Sequence, residues 1–153
     1  MITLEDILAL VGTLDDTAGD HTARTRFRSH LAKSASTVGV VRDYIDTCLR
    51  NSGPQYSRAL QDLVNHLGQL IGFEVEFGRY QGVSNDIGHD GIWRSGGFAL
   101  VIEIKTTDAY TIETSTLVGY VDRLIEAGRI TDWDHALGLY AVSYTHLRAH
   151  ETG

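Results

Sequence analysis

Asp90-Gly-Ile-Trp-Arg-Ser-Gly-Gly-Phe-Ala-Leu-Val-Ile-Glu103-Ile-Lys105 is the stretch that decides how this chain folds. Gly96-Gly97 reads as a two-residue hairpin turn, because both central positions of such a turn need positive φ and glycine supplies it at no steric cost. Phe98 to Lys105 is rich in Phe, Leu, Val and Ile, as a strand covered on both faces should be. With the glycines as the loop, Ser95 pairs with Phe98, Ile92 with Val101 and Asp90 with Glu103. Directly opposed residues hold their Cβ atoms about 4.5–5.5 Å apart. A period of two keeps Lys105 on the face of Glu103 and sends Trp93, Phe98, Leu100, Ile102 and Ile104 to the other.

Opposed like charges destabilise a sheet, so Asp90 and Glu103 inside so apolar a hairpin call for a compensating cation. Lys105 supplies one, and a bound Mg²⁺ (or Mn²⁺) would supply more, since hard cations take oxygen ligands. Asp90, Glu103 and the backbone carbonyl of Ile104 are the candidate ligands. Such an ion lowers the pKa of a bound water and polarises a phosphate, while Lys105 would orient that water or offset developing negative charge. Glu-x-Lys alone is a common tripeptide of solvated strands. The chemistry is carried by the whole set: turn, matching Asp and flanking apolar residues.

Outward from the hairpin, helix and strand alternate. Leu60, Leu63, Val64, Leu67 and Leu70-Ile71 recur at helical spacing, which predicts a helix over Gln55–Ile71 that stops at Gly72. Phe73–Phe77 follows as a strand, with Phe73, Val75 and Phe77 on one face and Glu74 and Glu76 on the other. Past the hairpin, Ser115–Ala127 reads as a helix with Leu117, Val118, Val121, Leu124 and Ile125 inward, and His135–Ala141 as a last strand. The expected fold is α/β, with a mixed central sheet whose faces the two long helices cover. Residues 1–53 form a separate helical N-terminal region, with helices after the N-cap Thr3, over Ala23–Lys33 and over Val38–Arg50, ended by Asn51-Ser-Gly-Pro54. Leu31, Val38, Val41, Tyr44, Ile45 and Leu49 suggest its apolar stripe, with Cys48 packed in the same pattern. Arg24, Arg26, Arg28 and Lys33 are its basic cluster and read as a solvated helix face, with a DNA-phosphate role as the sharper alternative.

The order helix, strand, Asp-bearing strand, Glu-x-Lys strand, helix, strand resembles the core of the PD-(D/E)xK nuclease superfamily, the restriction-endonuclease-like layered fold. The likeness is greatest to its Mrr-like and Holliday-junction-resolvase-like branch and covers about residues 56–142. It implies a metal-dependent endonuclease that hydrolyses DNA phosphodiesters, in prokaryotic defence or repair, with Asp90 and Glu103 as metal ligands and Lys105 as the catalytic lysine. Two positions depart from the family. His89 stands where a Pro precedes the family's Asp, and Gln61, with Asp62 beside it, stands where the first core helix often carries an acid. The second departure places a second metal site in doubt.

Other polar residues compete. Asp86 lies four residues before Asp90, about 13 Å along an extended strand, and Asn85-Asp86-Ile-Gly88 reads better as a turn. His89 should point to the face opposite Asp90, as a packing residue. Asp108 reads as bounding the loop after Lys105; Thr106 and Thr107 are possible phosphate contacts at the strand end; Arg79 and Tyr80 read as solvated loop. His146, His150 and Glu151 have helical ligand spacing, but the segment from about Val142 to Gly153 resembles a translated sequencing-library adaptor, and the natural chain is expected to continue differently.

At 153 residues the composition is that of one globular domain. No apolar run is long enough to span a bilayer, and the single cysteine excludes a disulfide framework or a Cys-rich zinc site, so a cytoplasmic setting is expected. A net charge of −7 argues against non-specific DNA binding through a basic surface, but not against a nuclease with a local site. Two other readings are a nuclease-like module without catalysis that binds nucleic acid or protein, and an α/β scaffold whose N-terminal helices build a homodimer.

Overall fold

Four strands, β1 (Glu74–Phe77), β2 (Gly91–Ser95), β3 (Phe98–Lys105) and β4 (Ala136–Val142), form one mixed sheet in the order β1-β2-β3-β4 in the computed structural model, which describes residues 1–106 and 113–143. β1, β2 and β3 run antiparallel in turn, and β4 lies parallel to β3. The hairpin has the expected register, with Ser95 opposite Phe98 and Ile92 opposite Val101. Gly96 and Gly97 turn at φ +55° and +83°, the two positive values that a tight hairpin needs.

Five α-helices surround the sheet among the described residues: α1 (Leu4–Val11), α2 (Ala23–Ser34), α3 (Val38–Arg50), α4 (Pro54–Leu70) and α5 (Thr114–Glu126). A mixed α/β architecture follows. α4 starts with Pro54 in its first turn, where a missing N–H costs nothing, and stops where Gly72 takes φ +102°. It covers the sheet face that bears Val75 and Trp93. Gly68 leaves room for that indole, since a Cβ there would lie 2.6 Å from the Trp93 ring. Phe73 stacks against the same ring at 5.7 Å. α5 covers the opposite face, where Leu117, Val121 and Leu124 join Ile92, Ala99 and Val101 in a second core. Gly138 on β4 makes space for Leu117 in the same way.

The N-terminal helices share their core with α4: Leu4, Ile7, Phe27, Leu31, Val41 and Tyr44 pack in one cluster with Leu60 and Leu63. Cys48 lies in that cluster, and burial pushes its thiol up to about 12. Two members of the expected stripe do not, because Val38 and Leu49 are 58% and 45% exposed.

The basic cluster of α2 is only in part a solvated face: Arg26 and Lys33 are exposed, while Arg24 and Arg28 are half-buried. Arg28 makes a two-pronged bond to the buried Asp62 of α4, 3.1 Å on each prong, and its guanidinium lies 4.2 Å above the Phe77 ring. Arg26 donates to the carbonyls of Val11 and His21, and Arg24 pairs with Asp16 at 3.3 Å. They brace helices and loops to each other. Propensity and spacing within α2 give no hint of this, because each partner lies on another element.

Candidate active site

Asp90 sits one residue before β2 rather than on it, and its backbone is held from every side. Its N–H donates at 2.9 Å to the carbonyl of Ile102, the residue already paired with Gly91, so the ladder shifts at Asp90 instead of running on to pair it with Glu103. Its own carbonyl accepts from Gly78 N–H at 2.9 Å, Asn65 Nδ2 at 3.0 Å and Gln61 Nε2 at 3.4 Å. Asn65 is itself locked, because its Oδ1 accepts from the Trp93 indole at 2.9 Å. Gly91 is required beside this clamp: a Cβ there would lie 2.1 Å from Asn65 Oδ1. With the backbone fixed, the Asp90 side chain turns to β3, where Oδ2 accepts the Ile104 N–H at 2.7 Å.

Glu103 faces α5 from the deep part of β3 and is only 6% exposed. Its carboxyl is pushed up to about 8, by burial first and then by its hydrogen bond to Asp90 and that residue's charge; Lys105 and the Tyr120 hydroxyl partly offset the rise. Burial and the neighbouring acid thus favour the neutral form of Glu103. Lys105 ends β3 on the same face, exposed to solvent, with its ammonium acting on Glu103. Asp90 thus reaches β3 beside Glu103, and Lys105 lies two residues beyond Glu103 on the same face of the strand. Because the residues of β3 that bond toward β2 are the even-numbered ones, the Ile104 carbonyl turns to the Asp90 side along with its N–H.

Two carboxylates and a backbone carbonyl are an all-oxygen donor set, and it fits a small hard cation that keeps several waters. Among the described residues, no third Asp, Glu, His or Cys joins the pair. Neither Gln61 nor Asp62 reaches it: the Gln61 amide is bound to the carbonyls of Gly78, Arg79 and Asp90, and Asp62 is taken by Arg28 and the Tyr80 hydroxyl.

The rival residues find other places. Asp86 lies in the expected turn and accepts the Ile87 N–H. Tyr80, expected in a solvated loop, is instead anchored through Asp62 and through Asp16, which accepts the N–H groups of Tyr80 and Gln81 at 2.9 and 3.0 Å. His89 does not point away from Asp90. It precedes the strand, need not alternate, and is buried on the α5 side with Nε2 3.9 Å from Glu76. Burial, with Arg129 adding to it, holds its imidazole below the usual value against the pull of Glu76. Thr106 is exposed at the strand end. Thr107, Asp108 and the histidines of the C-terminal tail lie outside the described residues; Val142, where the adaptor-like segment begins, completes β4.

Sequence reasoning missed Asn65 and Tyr120. Tyr120 carried a readable signal: it falls between Leu117, Val121 and Leu124 on the inward stripe of the helix that covers the carboxylates. Asn65 carried none, since a lone Asn on a long amphipathic helix does not reveal a partner on a distant strand. Set against protein-family models, curated proteins and solved structures, the chain matches none.

Proposed function

We propose that this protein is a Mg²⁺- or Mn²⁺-dependent endonuclease that hydrolyses DNA phosphodiester bonds, with a restriction-endonuclease-like core of α4, the sheet and α5. The observation that carries the reading is the Asp90–Glu103 pair. A buried glutamate held toward its neutral form lies near a second carboxyl and a lysine at the end of a strand, an arrangement costly to a fold that has no cation to place there. A bound divalent ion would supply an activated water and a polarised phosphate. The rest falls to the chain's own groups. Asp90 and Glu103 present oxygens from two adjacent strands, with the Ile104 carbonyl beside them. The clamp of Asn65, Gln61 and Gly78 fixes Asp90, and Lys105 orients the attacking water or offsets the charge that develops on the phosphate. Burial of Glu103 keeps bulk water from screening the site. A cytoplasmic setting goes with this reading, and no helix among the described residues is long and apolar enough to cross a membrane.

The test is cleavage of linear, supercoiled and branched DNA with and without Mg²⁺. Asp90→Ala, Glu103→Ala and Lys105→Ala should each lose about 10²–10³-fold in rate or more. Absence of cleavage by the unaltered chain on all three substrates counts against catalysis. A second reading, a nuclease-like module that binds nucleic acid or protein without cutting, draws on the amide at Gln61 and the net charge of −7. Calorimetric titration with Mn²⁺ separates the two, since only the nuclease requires saturable binding that Asp90→Ala abolishes.

A further inference from the structure

The two edges of the sheet are built differently. β1, at one edge, is four residues long and carries Glu74 and Glu76, and a short, charged strand is how folds keep an edge from pairing with another chain. β4, at the other edge, runs seven residues, about 23 Å at 3.3 Å per residue. The chain carries 20 acidic and 13 basic residues, and none of them stands on β4, nor does its proline. Pairing with β3 is unbroken from Ala136 to Val142, so no bulge turns the strand aside. Among the described residues nothing pairs with its outer side. Ser143 N–H donates to the Lys105 carbonyl at 3.0 Å. Alternation along the strand then points the backbone groups of Leu137, Leu139 and Ala141 at β3 and those of Gly138 and Tyr140 outward. Apolar side chains flank this edge on both faces. Gly138 packs against Leu117 of α5, so Leu137 and Leu139 lie on the other face, where α4 packs over β1 and β2 and leaves them 52% and 39% exposed. On the α5 side the Trp133 indole donates to Asp122 at 2.8 Å, which sets it on the helix flank that carries Val118 one turn earlier; both apolar residues are exposed.

We propose that β4 is the interface of a homodimer, in which two copies pair their β4 strands antiparallel about a two-fold axis at Leu139 and join their sheets into one. A second copy fits because the edge is complementary to itself. Such pairing sets Gly138 opposite Tyr140 of the partner subunit, and their outward N–H and C=O groups exchange hydrogen bonds. Leu139 then meets Leu139 of the partner subunit as a non-hydrogen-bonded pair, the closer kind, with Cα atoms about 4.5 Å apart. Leu137 meets Ala141 of the partner subunit on the same face. No charged residue of the strand opposes its own copy across the axis, whereas elsewhere a chain of net charge −7 repels a second one. The Val118 and Trp133 flanks come together over one face of the joined sheet and the leucines over the other, so apolar burial adds to the main-chain bonds. A contact of this symmetry closes at two copies. It needs nothing from the metal reading, and it uses β4 in place of the N-terminal helices.

The experiment is sedimentation equilibrium of the full chain over a range of concentrations, in EDTA and without DNA. The unaltered protein should dimerise. Leu139→Lys, at an exposed position of the single subunit, should raise the dimer dissociation constant about tenfold or more, because two ammonium groups replace two leucines across the axis; its circular dichroism should be unchanged. Val38→Lys, at an exposed apolar position on α3, should leave the dimer as it is. Leu139→Cys should close a disulfide between copies on mild oxidation, since about 4.5 Å between Cα atoms lies within the span of that bond, while Val38→Cys should not. Cys48 is buried and takes no part. A protein monomeric at every concentration overturns the proposal, and slow amide exchange at Gly138 and Tyr140 in such monomers would assign the edge to another segment of the same chain. A dimer that Val38→Lys breaks and Leu139→Lys leaves intact overturns it as well.

Discussion

Replacing Glu103 by Gln should change how stability depends on pH in the metal-free protein. The carboxyl is buried and pushed up to about 8, against an ordinary value of 4.5 in the unfolded chain. Between those two pH values the folded state holds a proton that the unfolded state has released, so stability falls as pH rises through this window and levels off above about 8. At about 1.4 kcal/mol per pH unit, the full gap sets a ceiling of about 5 kcal/mol. Solvent at the open end of β3 and the flexible Lys105 screen part of this, which leaves roughly 2–3 kcal/mol. Glutamine keeps the shape and a donor toward Asp90 but cannot ionise. Urea unfolding followed by circular dichroism, in EDTA, at pH 5.5, 7.0 and 8.5, should show the unaltered protein losing stability across the series and the Glu103→Gln variant losing far less. Other titrating groups cancel in the comparison. Parallel pH profiles for the two proteins would refute the raised Glu103 carboxyl. Added Mg²⁺ should rescue the unaltered protein most at pH 8.5, where Glu103 is free to ligate, and should leave the Gln variant nearly unchanged.

Arg28→Met should cost about 3–5 kcal/mol in chemical denaturation, because it leaves the Asp62 carboxylate buried without its partner; Asp62→Leu added to it should recover part of the loss, and a fully additive double variant would contradict the pairing. Gly91→Ala, which places a Cβ on Asn65 Oδ1, should destabilise by about 1–3 kcal/mol and lower cleavage further than that loss explains; cleavage unchanged in the folded variant would show that the clamp on Asp90 does not matter. His89 is held below its usual value of 6.5, so its neutral form stabilises the fold above that pH and the contribution is lost as pH falls through it. His89→Gln should flatten thermal stability between pH 6.5 and 5, and an unchanged acid profile would argue against it.

The fold was legible where one physical cue decided each element. Two adjacent glycines fixed the hairpin register from Gly91↔Ile102 to Ser95↔Phe98, and apolar spacing located α4 and α5 to within a residue or two. The expectations that failed concern polar side chains whose partners lie far along the chain. Arg28 reaches Asp62 across 34 residues and Asp16 reaches Gln81 across 65, so composition left both looking like surface. His89 escaped because alternation holds only within a strand, and it stands just outside one. The same limit explains Asp90: pairing arithmetic set it opposite Glu103, whereas the ladder ends at Gly91 and the Asp90 N–H bonds Ile102, and its anchoring by Asn65 and Gln61 depends on how α4 crosses the sheet.

The bond from the Trp93 indole to Asn65 has a practical result. The chain has two tryptophans; Trp93 is 7% exposed and Trp133 is 43% exposed, so their fluorescence should separate, the former emitting at shorter wavelength. Trp93 reports on the amide that grips Asp90. Its emission therefore offers an optical gauge of whether that grip survives mutation, ion binding or the approach of a nucleic acid, with no label attached.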